Sequence, residues 1–302
     1  MLSDYEKRAL AQIHEWKTPR HTWLNTAIDY MNKPMILAGD ALEKIPGFTY
    51  TCTKASNGLL NLVNDGAQWS VRPEAILAEL SRVSQRDITR LDQVWQLDLE
   101  QVDKSIGWLD TKYKGLAMAE GAAAGGTAMI NPVVAMAAIP ADLVALLGIN
   151  LRAIGEYAGY CGFDMTSQEE RLYTLNVLAY ASSSTDKGKQ AALAHMVKIA
   201  QDVVRNKTWE HLNQSAFVQI VRSITEALGY KLTKAKLANT IPFAGAAISS
   251  GFNGYFTSRV CNTAFYMYRE RLLIAKHGQA AVDANMAPAH SHVWSKQDRE
   301  AD

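Results

Sequence analysis

Apolar residues recur every three or four positions through most of this chain, which is the spacing that places them on one face of an α-helix. Local signals agree with this pattern, because Ser3 with Glu6 and Ser167 with Glu170 form capping boxes, and Pro19 ends the first helix. No segment alternates apolar and polar residues in the manner of a β-strand. The pattern therefore predicts an all-α fold, organised as a multi-helix bundle.

Further helix boundaries are predicted from prolines, glycines and acidic residues. Pro73 is placed in the first turn of one helix, Asp87 opens a long helix that runs through Val102, and Gly278 caps the last helix. The remaining predicted helices cover residues 23–31, 35–44, 56–63, 189–204 and 210–228.

Two long stretches without any charged residue interrupt this ordinary pattern, at residues 121–141 and 237–258. Both are rich in glycine and alanine, both contain an Ile-Pro pair, and each is followed by a helix that carries Arg and Glu. Small residues allow helix backbones to approach closely, so we expect two Gly/Ala-rich helical hairpins that form the core. Pro140 is expected in the first turn of the helix after the first stretch, which would place Asp142 near the positive end of its dipole.

Composition changes abruptly near residue 115 and again after residue 278. The sequence therefore predicts an N-terminal helical bundle region at 1–114, a helical core with both charge-free stretches at 115–278, and a disordered tail at 279–302. The tail is assigned as disordered because it contains Ala, Pro, His and charged residues without helical periodicity.

The overall composition excludes several classes of protein. A chain of 302 residues with 48% hydrophobic and 20% charged residues is typical of a globular protein with a sizeable core. The net charge of +1 argues against a nucleic-acid-binding protein, and the mean hydropathy of -0.13 argues against a protein with many membrane spans. Widely spaced cysteines and a start without a signal-peptide pattern predict a cytoplasmic location.

No motif predicts a particular reaction, metal site or cofactor. The sequence has no phosphate-binding GxxxxGK[ST] loop, no GxSxG nucleophile motif and no HExxH zinc motif. Cys161, in the segment GYCGF, is interpreted as a small buried residue rather than a reactive thiolate.

Polar residues inside the apolar helices are candidates for a functional site. A buried amide or charge needs a hydrogen-bonding partner, and Arg152 and Glu156 are four residues apart on one helix, where they can pair. We expect such groups to form one buried network, which either fixes the packing of the hairpins or makes the polar floor of an apolar ligand cavity. The candidates are Asp142, Asn150, Arg152, Glu156, Arg171, Asn176, Asn253 and Arg259.

A second set of candidates points to a membrane surface. Lysines precede both charge-free stretches, and a basic residue near an anionic bilayer contributes about 1 kcal/mol of binding. Apolar residues at the hairpin tips would then enter the interfacial region of the bilayer. The lipid-interface candidates are Lys112, Lys114, Lys231, Lys234, Lys236, Phe243 and Phe252.

Three segments resemble the EcsC family of bacterial proteins. They are DLVALLGINLRAIGEYAGYCGFD at 142–164, ERLYTLNVLA at 170–179, and KLTKAKLANTIPFAGAAISSGFNGYFTSRVCNTAFYMYRERLL at 231–273. The Trp-Lys-Thr-Pro end of the first helix is also similar to the family. The namesake protein is encoded beside an ABC transporter, so the resemblance implies a membrane-related setting, but it implies no established catalytic or binding residues.

These observations favour a cytoplasmic protein, peripheral on the inner membrane face, that binds a lipid, a lipid-like apolar ligand or a membrane-protein partner. Two alternatives stay open, namely an enzyme with a buried polar site and a soluble helical scaffold. The sequence predicts no nucleic-acid partner, and it leaves the oligomeric state open.

Overall fold

A computed structural model describes residues 2–17, 48–64, 71–128, 132–183, 220–229 and 245–286. Within these residues the fold is all-α, as the sequence predicts. The elements are α1 (Asp4–Lys17), α2 (Phe48–Asn64), α3 (Pro73–Ser84), a 3₁₀ helix (Leu91–Gln96), α4 (Leu99–Ile106), α5 (Leu109–Ala128), α6 (Pro132–Tyr160), α7 (Gln168–Ser182), a helical segment at 220–229, α8 (Gly245–His277) and α9 (Gln279–Met286). The helices predicted at 23–31, 35–44 and 189–204 lie outside the described residues.

Several helix ends are confirmed. The Ser3 amide donates to Glu6 Oε2 at 2.8 Å and the Glu6 amide donates to Ser3 Oγ at 3.2 Å, which is the predicted capping box of α1. Pro73 is the first residue of α3. Gly278 has a φ of 85°, the left-handed conformation that commonly ends a helix.

The single long helix predicted from Asp87 is wrong, because the 3₁₀ helix and α4 occupy this region as separate elements. The Gln93 side chain accepts hydrogen bonds from the amides of Thr89 at 2.8 Å and Arg90 at 3.0 Å, which fixes an extended entry to the 3₁₀ helix. Leu97 is extended between the two helices. Apolar residues on both short elements are buried, so periodicity alone could not separate them from one long helix.

The prediction that a helix begins at Pro140 is also wrong. Helix α6 begins at Pro132 and continues through Pro140, which is buried within it. An interior proline removes one backbone hydrogen bond and costs about 3 kcal/mol. Burial of its neighbours Ile139 and Leu143 offsets this cost. Asp142 consequently lies in the interior of α6, half-buried, and not at a helix amino terminus.

The predicted boundary after residue 278 falls between two helices, α8 and α9, but the boundary after residue 114 does not fall at a break. The boundary after residue 114 falls inside α5, and buried residues from both sides belong to one hydrophobic core. The tail prediction is wrong for its first residues, because α9 is helical, buries Val282 and packs against α1 and α8. Residues 287–302 lie outside the described part of the chain.

Helix α8 lies at the centre of the described bundle, where it packs most extensively against α5 and also contacts α6, α7 and α1. A Cβ atom added at Gly254 of α8 would lie 2.6 Å from Met118 Cγ of α5, so the two helices approach too closely for a larger residue there. Helices α5 and α8 are therefore closely packed at this point, while the packing of the two charge-free stretches as hairpins stays a prediction.

Candidate functional site

One side of α5 presents an uncharged, apolar surface to solvent. Leu116 and Met118 are 49% and 39% exposed, although both are large apolar side chains. Met118 packs against Gly254 of α8, and the next residue of α8, Tyr255, is 54% exposed. We call the exposed surface of α5 the α5 apolar face, and its exposed residues are Gly115, Leu116, Met118, Ala119, Ala122 and Ala123.

The exposed side of α1 shows what an ordinary surface helix of this protein looks like. Its exposed positions include Asp4, Lys7, Arg8, Gln12 and Glu15. A polar solvent side of this kind is the usual complement to a buried apolar side. The α5 apolar face lacks such residues, and a continuous apolar surface on a globular protein marks a site of interaction.

Trp108 and Lys114 lie towards the amino-terminal end of α5, just before this face. Trp108 is 44% exposed and Lys114 is exposed. Lys112 behaves differently, since its Nζ lies 2.6 Å from Glu156 Oε2 on α6 and 4.7 Å from the centre of the Tyr113 ring. Its charge is thus already paired inside the protein, and Lys114 is the more accessible of the two predicted lipid-interface lysines.

The other predicted lipid-interface residues either lie outside the described residues or are partly buried. Lys231, Lys234, Lys236 and Phe243 lie outside the described residues. Phe252 is half-buried on α8 and stacks on Phe256, with ring centres 6.3 Å apart.

The predicted polar residues do not meet in one network. Asn150 is fully buried and donates to the carbonyl of Leu146 at 2.7 Å, and Asn176 donates to Leu172 at 2.9 Å, so each amide bonds within its own helix. Both side-chain oxygens are buried and have no hydrogen-bond partner among the described residues. These two asparagines are local features of α6 and α7.

Two other candidates link different helices. Asn253 of α8 donates to Glu120 Oε2 of α5 at 2.6 Å. Glu156 pairs with Lys112 rather than with Arg152, and Arg152 is exposed on α6. The expected Arg152–Glu156 pair is therefore replaced by an ion pair between α5 and α6.

The remaining two arginine candidates bind backbone carbonyls. Arg259 donates from a terminal guanidinium nitrogen to the carbonyl of Ser183, which follows the end of α7. Arg171 donates from Nε to the carbonyl of Met165 at 3.2 Å. Neither group meets the asparagine side chains.

A tighter polar cluster lies where α7 meets the second half of α8. Arg271 NH1 donates to both carboxylate oxygens of Glu170, at 2.7 and 2.9 Å, and Tyr268 donates to Glu170 Oε1 at 2.6 Å. The Arg271 guanidinium also lies 4.0 Å from the ring centres of Phe163 and Tyr173. Burial alone would lower the pKa of Arg271, but Glu170 raises it, so the arginine stays charged.

A second buried ion pair joins α8 to α4 and α1. Arg269 NH2 donates to Asp103 Oδ2 at 2.5 Å, and the Tyr5 hydroxyl donates to the same oxygen at 2.8 Å. Burial raises the pKa of Asp103, while Arg269 opposes that rise. Sequence reasoning identified neither this pair nor Glu170–Arg271 as a contact, because the partners are far apart along the chain.

Glu6 links α1 to the end of α8 through contacts with two basic side chains. Its Oε1 lies 2.8 Å from Lys276 Nζ and 3.1 Å from His277 Nε2. Burial alone would raise the pKa of Glu6, but Lys276, the Ser3 amide and His277 together lower it to about 2.

Glu6→Gln is expected to lower the free energy of unfolding by about 3 kcal/mol at neutral pH. The pKa of Glu6 is lower in the folded chain than its ordinary value of 4.5. The ionised carboxylate therefore stabilises the fold above pH 4.5, and this contribution disappears as the pH falls towards 2. Urea unfolding of both proteins across this range should show their difference shrinking with acidification, and a difference independent of pH would contradict the assignment.

The cysteines have the properties of core residues. Cys52, Cys161 and Cys261 are all buried and free. Burial raises the thiol pKa of Cys52 to about 11 and of Cys261 to about 12, and it raises that of Cys161 as well. The interpretation of Cys161 as a buried structural residue agrees with this. Among the described residues, no group of three or more His, Cys, Asp or Glu side chains is placed to hold a metal ion.

One helix in the described part of the chain is long and apolar enough to cross a bilayer, at Ala138–Tyr160 of α6. Within its most apolar window, 56% of the residues are buried inside the protein. Length and composition of this kind also suit a core helix, and the packing of α6 against α2, α5, α7 and α8 is that of a core helix.

Together these features define an all-helical protein that contains buried ion pairs in its core and an uncharged, exposed face on helix α5. The chain belongs to the EcsC protein family, whose pattern matches residues 7–273. It is 22% identical over 140 residues to the uncharacterized protein YdbA of Bacillus subtilis (strain 168), a match that spans 46% of this chain and 48% of YdbA. The chain thus covers about half the length of that relative. No solved structure matches it significantly.

Proposed function

We propose that this protein is a peripheral membrane protein of the cytoplasm that attaches to the bilayer surface through the α5 apolar face. The observation that supports this proposal is the exposure of Leu116 and Met118 on α5, where every exposed residue from 115 to 123 is uncharged and Glu120 is partly buried. Complete burial of a fully exposed side chain of this size gains about 1.5–3 kcal/mol, and Leu116 and Met118, which are 49% and 39% exposed, would each gain a part of this.

A membrane suits this face better than a soluble partner does, because of the residues at its two ends. Exposed Trp108 and Lys114 precede it, and tryptophan and lysine are the residues that favour the head-group region of a bilayer. The sequence beyond it has no charged residue between 121 and 141, through the end of α5 and the start of α6. Apolarity therefore increases from Trp108 towards the far end of the α5–α6 pair.

Attachment is proposed to be shallow. Helix α6 is largely covered by other helices, and Glu120, halfway along α5, bonds to Asn253 of α8. Placing that carboxylate in the bilayer centre would be costly, whereas a helix lying in the interface buries only its apolar side. The proposal includes no catalytic step.

The double variant Leu116→Glu, Met118→Glu is expected to reduce partitioning onto lipid vesicles by more than tenfold. Each substitution removes an apolar contact and adds a charge that the bilayer interface resists. Co-sedimentation with vesicles of phosphatidylcholine, with and without phosphatidylglycerol, measures the effect. Tyr50→Glu is the matched control, since Tyr50 is 58% exposed on α2 and lies outside this face.

Equal binding by the wild-type protein and the double variant would overturn the proposed face. Binding that occurs only when the vesicles contain native membrane proteins would indicate that the α5 apolar face binds a protein partner and not lipid. An unchanged melting temperature of the double variant would show that it is folded, so that its loss of binding is not caused by unfolding.

A further inference from the structure

A cleft opens where the carboxyl end of α6 meets the start of α3. About 480 Å³ of space lies within and in front of this cleft, and this figure includes open solvent. Gly159 of α6 lines the cleft, and Ile76 packs closely over it, since an added Cβ would lie 2.6 Å from Ile76 Cδ1. The apolar walls come from Val71, Pro73, Ile76, Leu91, Phe163 and Met165.

Arg171 is the one basic side chain among the described residues that line this cleft. Its Nε donates to the Met165 carbonyl at 3.2 Å, which holds the guanidinium in place. No described acceptor bonds its two terminal nitrogens. A guanidinium with both of these nitrogens open is suited to bind a carboxylate in a bidentate manner.

The acidic side chain of the cleft is engaged elsewhere. Asp164 accepts from the Thr166 amide at 2.9 Å through Oδ1 and from the Thr166 hydroxyl at 2.8 Å through Oδ2. It forms no ion pair with Arg171. Its charge at the rim still offsets that of the arginine, so the cleft favours a ligand with a single negative charge over a dianion.

The aromatic wall is held in position by its neighbours. Arg271 lies 4.0 Å from the centre of the Phe163 ring, and the rings of Trp95 and Tyr268 lie 6.0 and 5.8 Å from it. Binding in a preformed cleft requires little ordering of side chains, and this favours affinity.

We propose that this cleft binds a medium-chain carboxylate, with the carboxylate on the terminal nitrogens of Arg171 and the hydrocarbon chain against the apolar walls. The proposal goes beyond membrane attachment and does not depend on it. The cleft lies at the carboxyl end of α6, while the charge-free end of the α5–α6 pair lies at its amino end, about 40 Å away along the helix axis.

Calorimetric titration of the full chain with octanoate, below its micelle concentration and without vesicles, tests the proposal. Saturable binding is expected, at least tenfold tighter than that of 1-octanol, which lacks the charge, and of acetate, which lacks the chain. Hexyl phosphate is expected to bind more weakly than octanoate because of Asp164. Tighter binding of the phosphate would contradict the carboxylate assignment.

Arg171→Gln is expected to weaken octanoate binding by about tenfold or more, which corresponds to 1.4 kcal/mol per factor of ten. Arg152→Gln is the control, because Arg152 is an exposed arginine of α6 outside the cleft, and binding should be unchanged. Absence of binding by the wild-type protein, or equal binding by the Arg171→Gln variant, would overturn the proposal. If that variant does not fold, equal affinity of the wild-type protein for octanoate and octanol overturns it instead.

Discussion

Arg271→Met is expected to lower the free energy of unfolding by about 3–5 kcal/mol, the usual result of removing one partner of a buried ion pair. Glu170 is only 4% exposed, and Arg271 supplies two of the hydrogen bonds to its carboxylate. Methionine retains much of the apolar contact with the Phe163 and Tyr173 rings, so the loss reports mainly the unpaired charge. Urea denaturation at neutral pH measures it.

Two further variants separate this effect from a general effect of removing arginine. Glu170→Gln combined with Arg271→Met should recover part of the loss, because no buried charge is then left without a partner. Arg222→Met should cost at most about 1 kcal/mol, since the Arg222–Glu226 pair is exposed. Equal losses for Arg271→Met and Arg222→Met would contradict the assignment of Glu170–Arg271 as a buried clamp.

Gly162→Ala is expected to destabilise the fold by about 3 kcal/mol or more, from strain and a disrupted hydrogen bond together. Gly162 has a φ of 85°, and an added Cβ would lie 2.7 Å from both the Leu91 carbonyl oxygen and Trp95 Nε1. That indole nitrogen donates to the Cys161 carbonyl at 3.2 Å, so moving the ring would also weaken this bond. Thermal and urea unfolding measure the change.

Gly278→Ala is the matched control, because Gly278 has the same φ of 85° but nothing within 4 Å of its added Cβ. It should show only the conformational cost of about 1–2 kcal/mol. The difference between the two variants isolates the steric contribution of the α6–3₁₀ contact. Equal effects would show that the contact at Gly162 relaxes without cost.

Local signals in the sequence were sufficient to predict those features that depend on a single helix end. Ser3 and Glu6 satisfy each other within one turn, Pro73 needs no amide partner at a helix start, and Gly278 adopts a positive φ without strain. The all-α class followed for the same reason, because helical periodicity is a local property. Family membership was also predictable, from the segments at 142–164, 170–179 and 231–273.

Tertiary packing decided the features that sequence reasoning missed. Pro140 usually marks a helix start, but burial of Ile139 and Leu143 keeps α6 continuous through it. The Asp87 segment has a helical period, yet Leu97 is extended and separates the 3₁₀ helix from α4. Neither outcome can be derived from spacing alone.

Sequence reasoning pointed to a region next to the α5 apolar face and not to the residues of that face. The charge-free stretch at 121–141 drew attention to the end of α5, whereas the exposed residues Leu116 and Met118 lie just before it. Which side of α5 remains uncovered depends on how α8 packs against it. Lys112 was grouped with Lys114 by sequence, but the position of Glu156 on α6 directs Lys112 inwards.

The most direct measurement places a polarity-sensitive nitrobenzoxadiazole fluorophore on α5 through Leu116→Cys, with Tyr50→Cys as the control position. The native cysteines are buried and their thiol pKa values are raised, so labelling is directed to the introduced site. Addition of vesicles should shift the emission of the label at position 116 to shorter wavelength, and spin-labelled lipids should quench it, while the label at position 50 stays unchanged. A label at position 116 that remains in water while vesicles are present would contradict attachment through the α5 apolar face.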